Sequence, residues 1–149
     1  MKNSYSKNLI LIPFILLIIS AGISSISGYN KPESENNYQT NKWIAPKDAD
    51  KVVNPLKGNA VETAKGKGLF NTQCATCHGD QGKGDGPGGL QLHPHPGNLS
   101  SEEVQKQPDG AIFWKITNGR PPMASYKYTF SDKQRWELVN YIREFHKKK

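Results

Sequence analysis

Cys74, Cys77 and His78 stand together in the pentapeptide CATCH, and the chain has no other cysteine. The spacing C-x-x-C-H is the attachment sequence for c-type haem. The reason is geometric. Two thiols three positions apart can bond the two vinyl groups on one edge of a porphyrin, and the adjacent imidazole then reaches the iron from one face. Other chemistries fit this arrangement less well. A zinc site needs more ligands, and His93 and His95 are separated by one residue rather than three to five. A disulfide here would close too short a loop to stabilise much. A thioredoxin-like pair needs a βαβ setting, of which the sequence has no sign.

An iron held by His78 has a second face. Past the first residue, Met123 is the only methionine, in the loop sequence NGRPPMASY. His/Met is the axial pairing of electron-transferring cytochromes c, and a thioether ligand raises the reduction potential. Pro121 and Pro122 would stiffen the loop that presents it. Three other readings stay open. Met123 as apolar filler is one. Bis-His ligation by His93 or His95, from LHPHPGNL, is another. The third is an open sixth position that binds gases or performs catalysis, although no distal acid–base pair is visible.

Helices must hold these groups. Residues 61–72 read as a helix running directly into the cysteines. Gly66 and Gly68 weaken it, and a glycine inside a helix often marks close approach of another backbone. A second helix is expected from residue 132 to about 147. Ser131 and Gln134 form a capping box before it. Leu138, Tyr141, Ile142 and Phe145 fall on one apolar face. Residues 102–107 and 109–118 are shorter candidates. Residues 79–97 are dominated by Gly and Pro and read as a loop. No run alternates with period two, so an all-α domain is expected.

The N-terminus has a different character. Lys2 and Lys7 precede an uncharged stretch from residue 9 to 26, followed by small residues. This is the layout of a secretory signal, with a cleavage position near Ser27. The uncharged length also meets the lower limit for a retained membrane anchor. Both readings export the rest of the chain to the periplasm, either soluble or held at the inner membrane. The expected division is 1–27 signal peptide or anchor, 28–57 polar linker and irregular extension, and 58–149 haem domain. Residues 28–42 read as a disordered tether. The extension is expected to seat Trp43 or Val52 and Val53 on the domain.

The chain carries 20 Lys and Arg against 13 Asp and Glu. Three of the cations form the tail Lys147, Lys148 and Lys149. They read as a solvated end, or as a patch steering an acidic partner or anionic lipid. No recognition motif accompanies the charge, so nucleic-acid binding is not supported.

Residues 58–145 resemble the class I monohaem c-type cytochromes of bacteria. The resemblance rests on GKGLFNTQCATCHG, GDGPGGL, NGRPPM and RWELVNYIREF. It implies a small all-α cytochrome c fold whose first and last helices cross around one covalently bound haem c. It further implies that Gly66 and Phe70 meet Leu138 and Tyr141. A proline carbonyl, assigned to Pro87, would accept a hydrogen bond from the histidine ligand. Trp114 and Arg120 match positions that contact haem propionates. The extension WIAPKDADKVVNP is similar to segments preceding the haem domain in cytochromes that serve respiratory complexes.

The expected function is single-electron transfer between redox partner proteins, with no small-molecule substrate and no enzyme active site. Lys83, Lys115 and Lys127 are candidates to ring the exposed haem edge. The alternatives are a membrane-anchored cytochrome subunit of a larger oxidoreductase, and a gas-binding haem protein.

Overall fold

Asn59 starts the first long helix, α1 (Ala60–Gln73), by accepting hydrogen bonds on its side-chain oxygen from the backbone N–H of Val61 and Glu62, at 3.0 and 3.2 Å. These are donors a helix start otherwise leaves unpaired. The computed structural model describes residues 42–148. The N-terminal signal or anchor, the tether up to residue 41, and Lys149 lie outside the described residues.

After α1 the chain passes through Cys74 into a single turn, α2 (Ala75–His78), which stops at Gly79 with a φ of 75°. A long loop leads to α3 (Glu102–Gln105), capped by Ser101, and then to α4 (Asp109–Asn118). The last helix, α5 (Asp132–Glu144), opens with the Ser131–Gln134 capping box and runs into a 3₁₀ turn at Phe145–Lys148. The expected all-α fold is therefore observed. Among the described residues the only bridge is an isolated one between Arg120 and Met123. The two expected C-termini were too long, because α3 ends at Gln105 and the last turn of α5 tightens to 3₁₀ geometry.

Packing begins where α1 crosses α5. A Cβ on Gly66 would lie 1.9 Å from the Glu137 carbonyl oxygen, so only glycine lets the two backbones meet. One turn later Phe70 is completely buried. Its ring lies 5.4 Å from Tyr141 and 5.1 Å from Phe145, centroid to centroid. Leu138, Val139, Ile112, Ile116 and Trp136 extend this core. Lys133 on α5 bridges Glu62 of α1 and Glu137 of its own helix, at 2.5 and 3.1 Å.

Residues 42–57 are also seated. Ala45 and Ala49 are buried against Ala111 of α4. A Cβ on Gly110 would fall 1.9 Å from the Ala49 carbonyl oxygen and 2.8 Å from that of Val52. Asn54, itself buried, donates to Asn140 at 2.8 Å and to Asp109 at 3.0 Å. The segment meets α4 through its carbonyls, so Val52 and Val53 point outward and are 47% and 82% exposed. Trp43 is the residue of the expected pair that docks. Among the described residues no helix is long and apolar enough to cross a membrane.

Candidate functional site

Backbone hydrogen bonds hold CATCH in helical turns: Cys74 N–H to Phe70 at 2.8 Å, Cys77 N–H to Cys74 at 3.1 Å, and His78 N–H to Cys74 at 2.9 Å. All three functional side chains line one cavity of about 660 Å³. Apolar walls come from Phe70 of α1, Ile112 and Ile116 of α4, and Leu138 and Ile142 of α5. Leu92, Pro94 to Leu99, and Pro122 to Ala124 line it from the loops.

Burial pushes the Cys74 thiol up to about 12, with Cys77 nearby adding to the effect. Such a thiol is held in its protonated form at neutral pH. Burial also lowers the His78 pKa, while a hydrogen bond to the Gly97 carbonyl acts against it. The neutral ring can donate from Nδ1 to that oxygen, 3.2 Å away, which leaves the Nε2 electron pair for a metal. Among the described residues no group of three or more His, Cys, Asp or Glu converges on a metal position.

Met123 lines the same cavity, and its loop is tightly held. Arg120 and Met123 exchange backbone hydrogen bonds of 3.0 and 2.8 Å. Tyr126 N–H reaches the Ile116 carbonyl at 3.1 Å, and the Ser125 hydroxyl reaches that of Thr117 at 2.7 Å. The Tyr126 hydroxyl donates to the Gln73 carbonyl at 3.3 Å, tying the loop to the end of α1.

This lining fits a flat apolar macrocycle with an ionised edge. It offers a thiol pair, an imidazole, a thioether, aliphatic walls, and the cations Lys115 and Arg120. The family model described as Cytochrome C oxidase, cbb3-type, subunit III matches residues 61–142, more than half of the chain. The chain belongs to this family of c-type cytochromes. The cytochrome is thus a haem-based electron-transfer protein.

One solved structure supports the fold, and two further c-type cytochromes align more loosely. A chain of the Kuenenia stuttgartiensis reducing HAO-like protein complex Kustc0457/Kustc0458 aligns with a TM-score of 0.53 and 24% identity, over 63% of this chain. The cytochrome spans about half of that chain, 49%. The KustC0563 c-type cytochrome aligns at 30% identity over 54% of this chain and 95% of its own, with a TM-score of 0.46. Cytochrome CL from Methylophaga aminisulfidivorans aligns at 18% identity over 67% and 68%, with a TM-score of 0.48. No curated protein matches the cytochrome.

Two sequence-based assignments need correction. The His78 ring nitrogen pairs with the Gly97 carbonyl and not with that of Pro87. The stretch Gly86-Pro87-Gly88 is pressed onto the backbone of α2, with Gly86 N–H to Cys77 at 3.2 Å and Gly88 N–H to Thr76 at 2.8 Å. Pro87 itself borders a small separate pocket with Asp80, Lys83 and Asp85. The carbonyl beside the imidazole belongs to Gly97. Trp114 also misses the cavity and packs on the Ala45, Ala49 and Ala111 cluster. The tryptophan that lines the cavity is Trp43, from the extension.

Arg120 lies on the cavity wall, its guanidinium carbon 5.0 Å from the Trp43 ring centroid. Of the three candidate lysines, Lys115 lines the cavity, Lys83 borders the small pocket, and Lys127 sits over Tyr128. His95 reaches the cavity, and His93 is not part of its lining. Both histidines are exposed.

Proposed function

We propose that this cytochrome is an exported one-electron carrier, holding one haem c covalently through Cys74 and Cys77 with His78 and Met123 as axial ligands. The observation carrying this reading is that a single cavity gathers those four side chains. The bound group supplies reversible one-electron chemistry at its iron. The chain does the rest. Cys74 and Cys77 fix the cofactor's edge as thioethers, and His78 offers Nε2 while the Gly97 carbonyl holds its ring. The clamped Met123 loop limits reorganisation between redox states. Aliphatic walls exclude water, which disfavours the more charged oxidised state. The signal-like N-terminus supports a periplasmic setting, with redox proteins of a respiratory chain as donor and acceptor.

A second reading shares this chemistry: a membrane-anchored subunit of a larger oxidoreductase. The matching family's description, which names an oxidase subunit, favours it, as does the uncharged stretch at residues 9–26. Fractionation without detergent separates the two readings, since a free carrier is released and an anchored subunit stays with the membrane.

The test of the main reading is the visible spectrum of the matured protein, oxidised and reduced, with and without carbon monoxide. A sharp c-type reduced spectrum unchanged by carbon monoxide is expected. A large carbon monoxide shift would overturn Met123 ligation in favour of gas binding.

A further inference from the structure

We infer that the segment preceding the haem domain belongs to the haem site: Trp43 is a positioning residue that holds Lys115 and Arg120 where they meet the carboxylates of the bound cofactor. The inference rests on the haem reading above and goes beyond it.

Three elements converge here. Trp43 comes from the extension, Lys115 from α4 and Arg120 from the Met123 loop, and all three line the cavity. The Trp43 ring contacts both cations, with Lys115 Nζ 5.6 Å and the Arg120 guanidinium carbon 5.0 Å from its centroid. A cation prefers the face of an indole to unconstrained solvent by a modest margin. One ring therefore restrains two long side chains that would otherwise spread into water.

Two cations from separate elements, Lys115 and Arg120, line this corner of the cavity. Lys115 donates to the Gln107 side chain, a neutral partner, at 2.5 Å. Burial lowers the Lys115 pKa, and Arg120 and Lys42 lower it further, while Glu103 and Asp50 oppose them. Glu103 is engaged by Lys42 at 3.3 Å and is largely exposed. Haem carries its two carboxylates on the edge away from the vinyl groups. With the vinyl edge at Cys74 and Cys77, a cationic corner elsewhere in the same cavity matches the other edge.

The extension is built to hold Trp43 in place. Ala49 and Val52 present carbonyls to Gly110 at distances no side chain there would permit. Asn54 adds buried hydrogen bonds to Asp109 and Asn140. Cations near the iron favour its reduced state, so seating them raises the reduction potential.

The experiment is potentiometric titration of full-length wild type, Trp43→Ala, Trp43→Phe and Lys115→Gln/Arg120→Gln. Trp43→Ala should lower the potential, shifting the reduction equilibrium up to about tenfold, or about 59 mV for one electron. Trp43→Phe, which keeps a ring face, should recover most of the shift. The double variant should show the same downward shift, and adding Trp43→Ala to it should move the potential no further. Should Trp43→Ala not accumulate, Trp43→Leu keeps the apolar bulk without a ring face and makes the same comparison. A wild-type potential in the Trp43 variants, or shifts that simply add, overturns the inference alone. Wild type without a c-type spectrum overturns the haem reading and this inference with it.

Discussion

The α-carbon of Gly66 sits directly against the main-chain carbonyl of Glu137, with room for a hydrogen and none for a methyl group. This contact sets the crossing of α1 over α5. It thereby sets where α1 delivers Cys74. Gly66→Ala must push the helices apart and should destabilise the protein by about 1–3 kcal/mol, as overpacking does. Gly68 is the control. It lies in the same helix, and a Cβ there would meet nothing within 4 Å. Gly68→Ala should therefore stabilise by about 0.5–1 kcal/mol through helix propensity. Thermal unfolding of the two haem-loaded variants distinguishes them, and equal effects would remove Gly66 from its role.

The same crossing carries an ion cluster with a pH signature. Lys133 holds the Glu62 carboxyl down from the ordinary 4.5 to about 2, with Glu137 and Lys65 adding to this and burial opposing it. A depressed carboxyl stabilises the folded state fully above its unfolded pKa and loses that contribution as pH falls toward the folded value. The melting temperature should thus decline between pH about 4.5 and about 2. In Lys133→Met it should already be lower at neutral pH and should decline less across that window. Parallel melting curves for the two proteins would show that the cluster contributes nothing.

What could be read from the residues alone was what depends on short spacing. CATCH is a local motif, and its geometry follows from one helical turn. The Gly66–Phe70 pair and the Leu138–Tyr141 pair each lie on a single helix face, which spacing shows, whereas their meeting was implied only by the family resemblance. The capping box of α5 was legible from spacing too. Trp114 shows where the reading failed on register. Ile112 and Ile116, four apart, face the cavity, and residue 114 falls between them on the other side of the helix.

The remaining misses come from irregular backbone. Residues 79–97 offer several prolines, and which carbonyl reaches His78 depends on how the loop returns. Hydrogen bonds from Gly84 to His78 and from Leu99 to Gly82, at 2.8 and 2.6 Å, fold it behind the motif and bring Gly97 to the ring. No periodicity announces such a path. Trp43 was legible only as an aromatic that must dock somewhere, because an extended segment has no face to assign.

Cofactor attachment and folding should be inseparable in this domain. The side chains lining the cavity are those the core would otherwise close over, and a domain of about 90 residues buries little surface on its own. Cys77→Ala removes one thioether anchor. The expected result is little or no folded protein in the exported fraction, measured by yield and by circular dichroism. A stable, helical, haem-free Cys77→Ala domain would contradict this coupling.

Met123 provides the sharpest test of ligation. Its loop is clamped by the Arg120–Met123 backbone pair and by Tyr126 and Ser125 on the end of α4. Truncating its side chain should therefore leave the fold largely intact and open the sixth position. Met123→Ala should lose the oxidised Met–iron absorption band, bind carbon monoxide when reduced, and have a lower reduction potential, since the thioether favours the ferrous state. Met123→His should close the site again, suppress carbon monoxide binding, and keep the potential low. If Met123→Ala kept a closed site with unchanged spectra, the ligand would have to come from elsewhere in the cavity lining, with His95 first among the candidates.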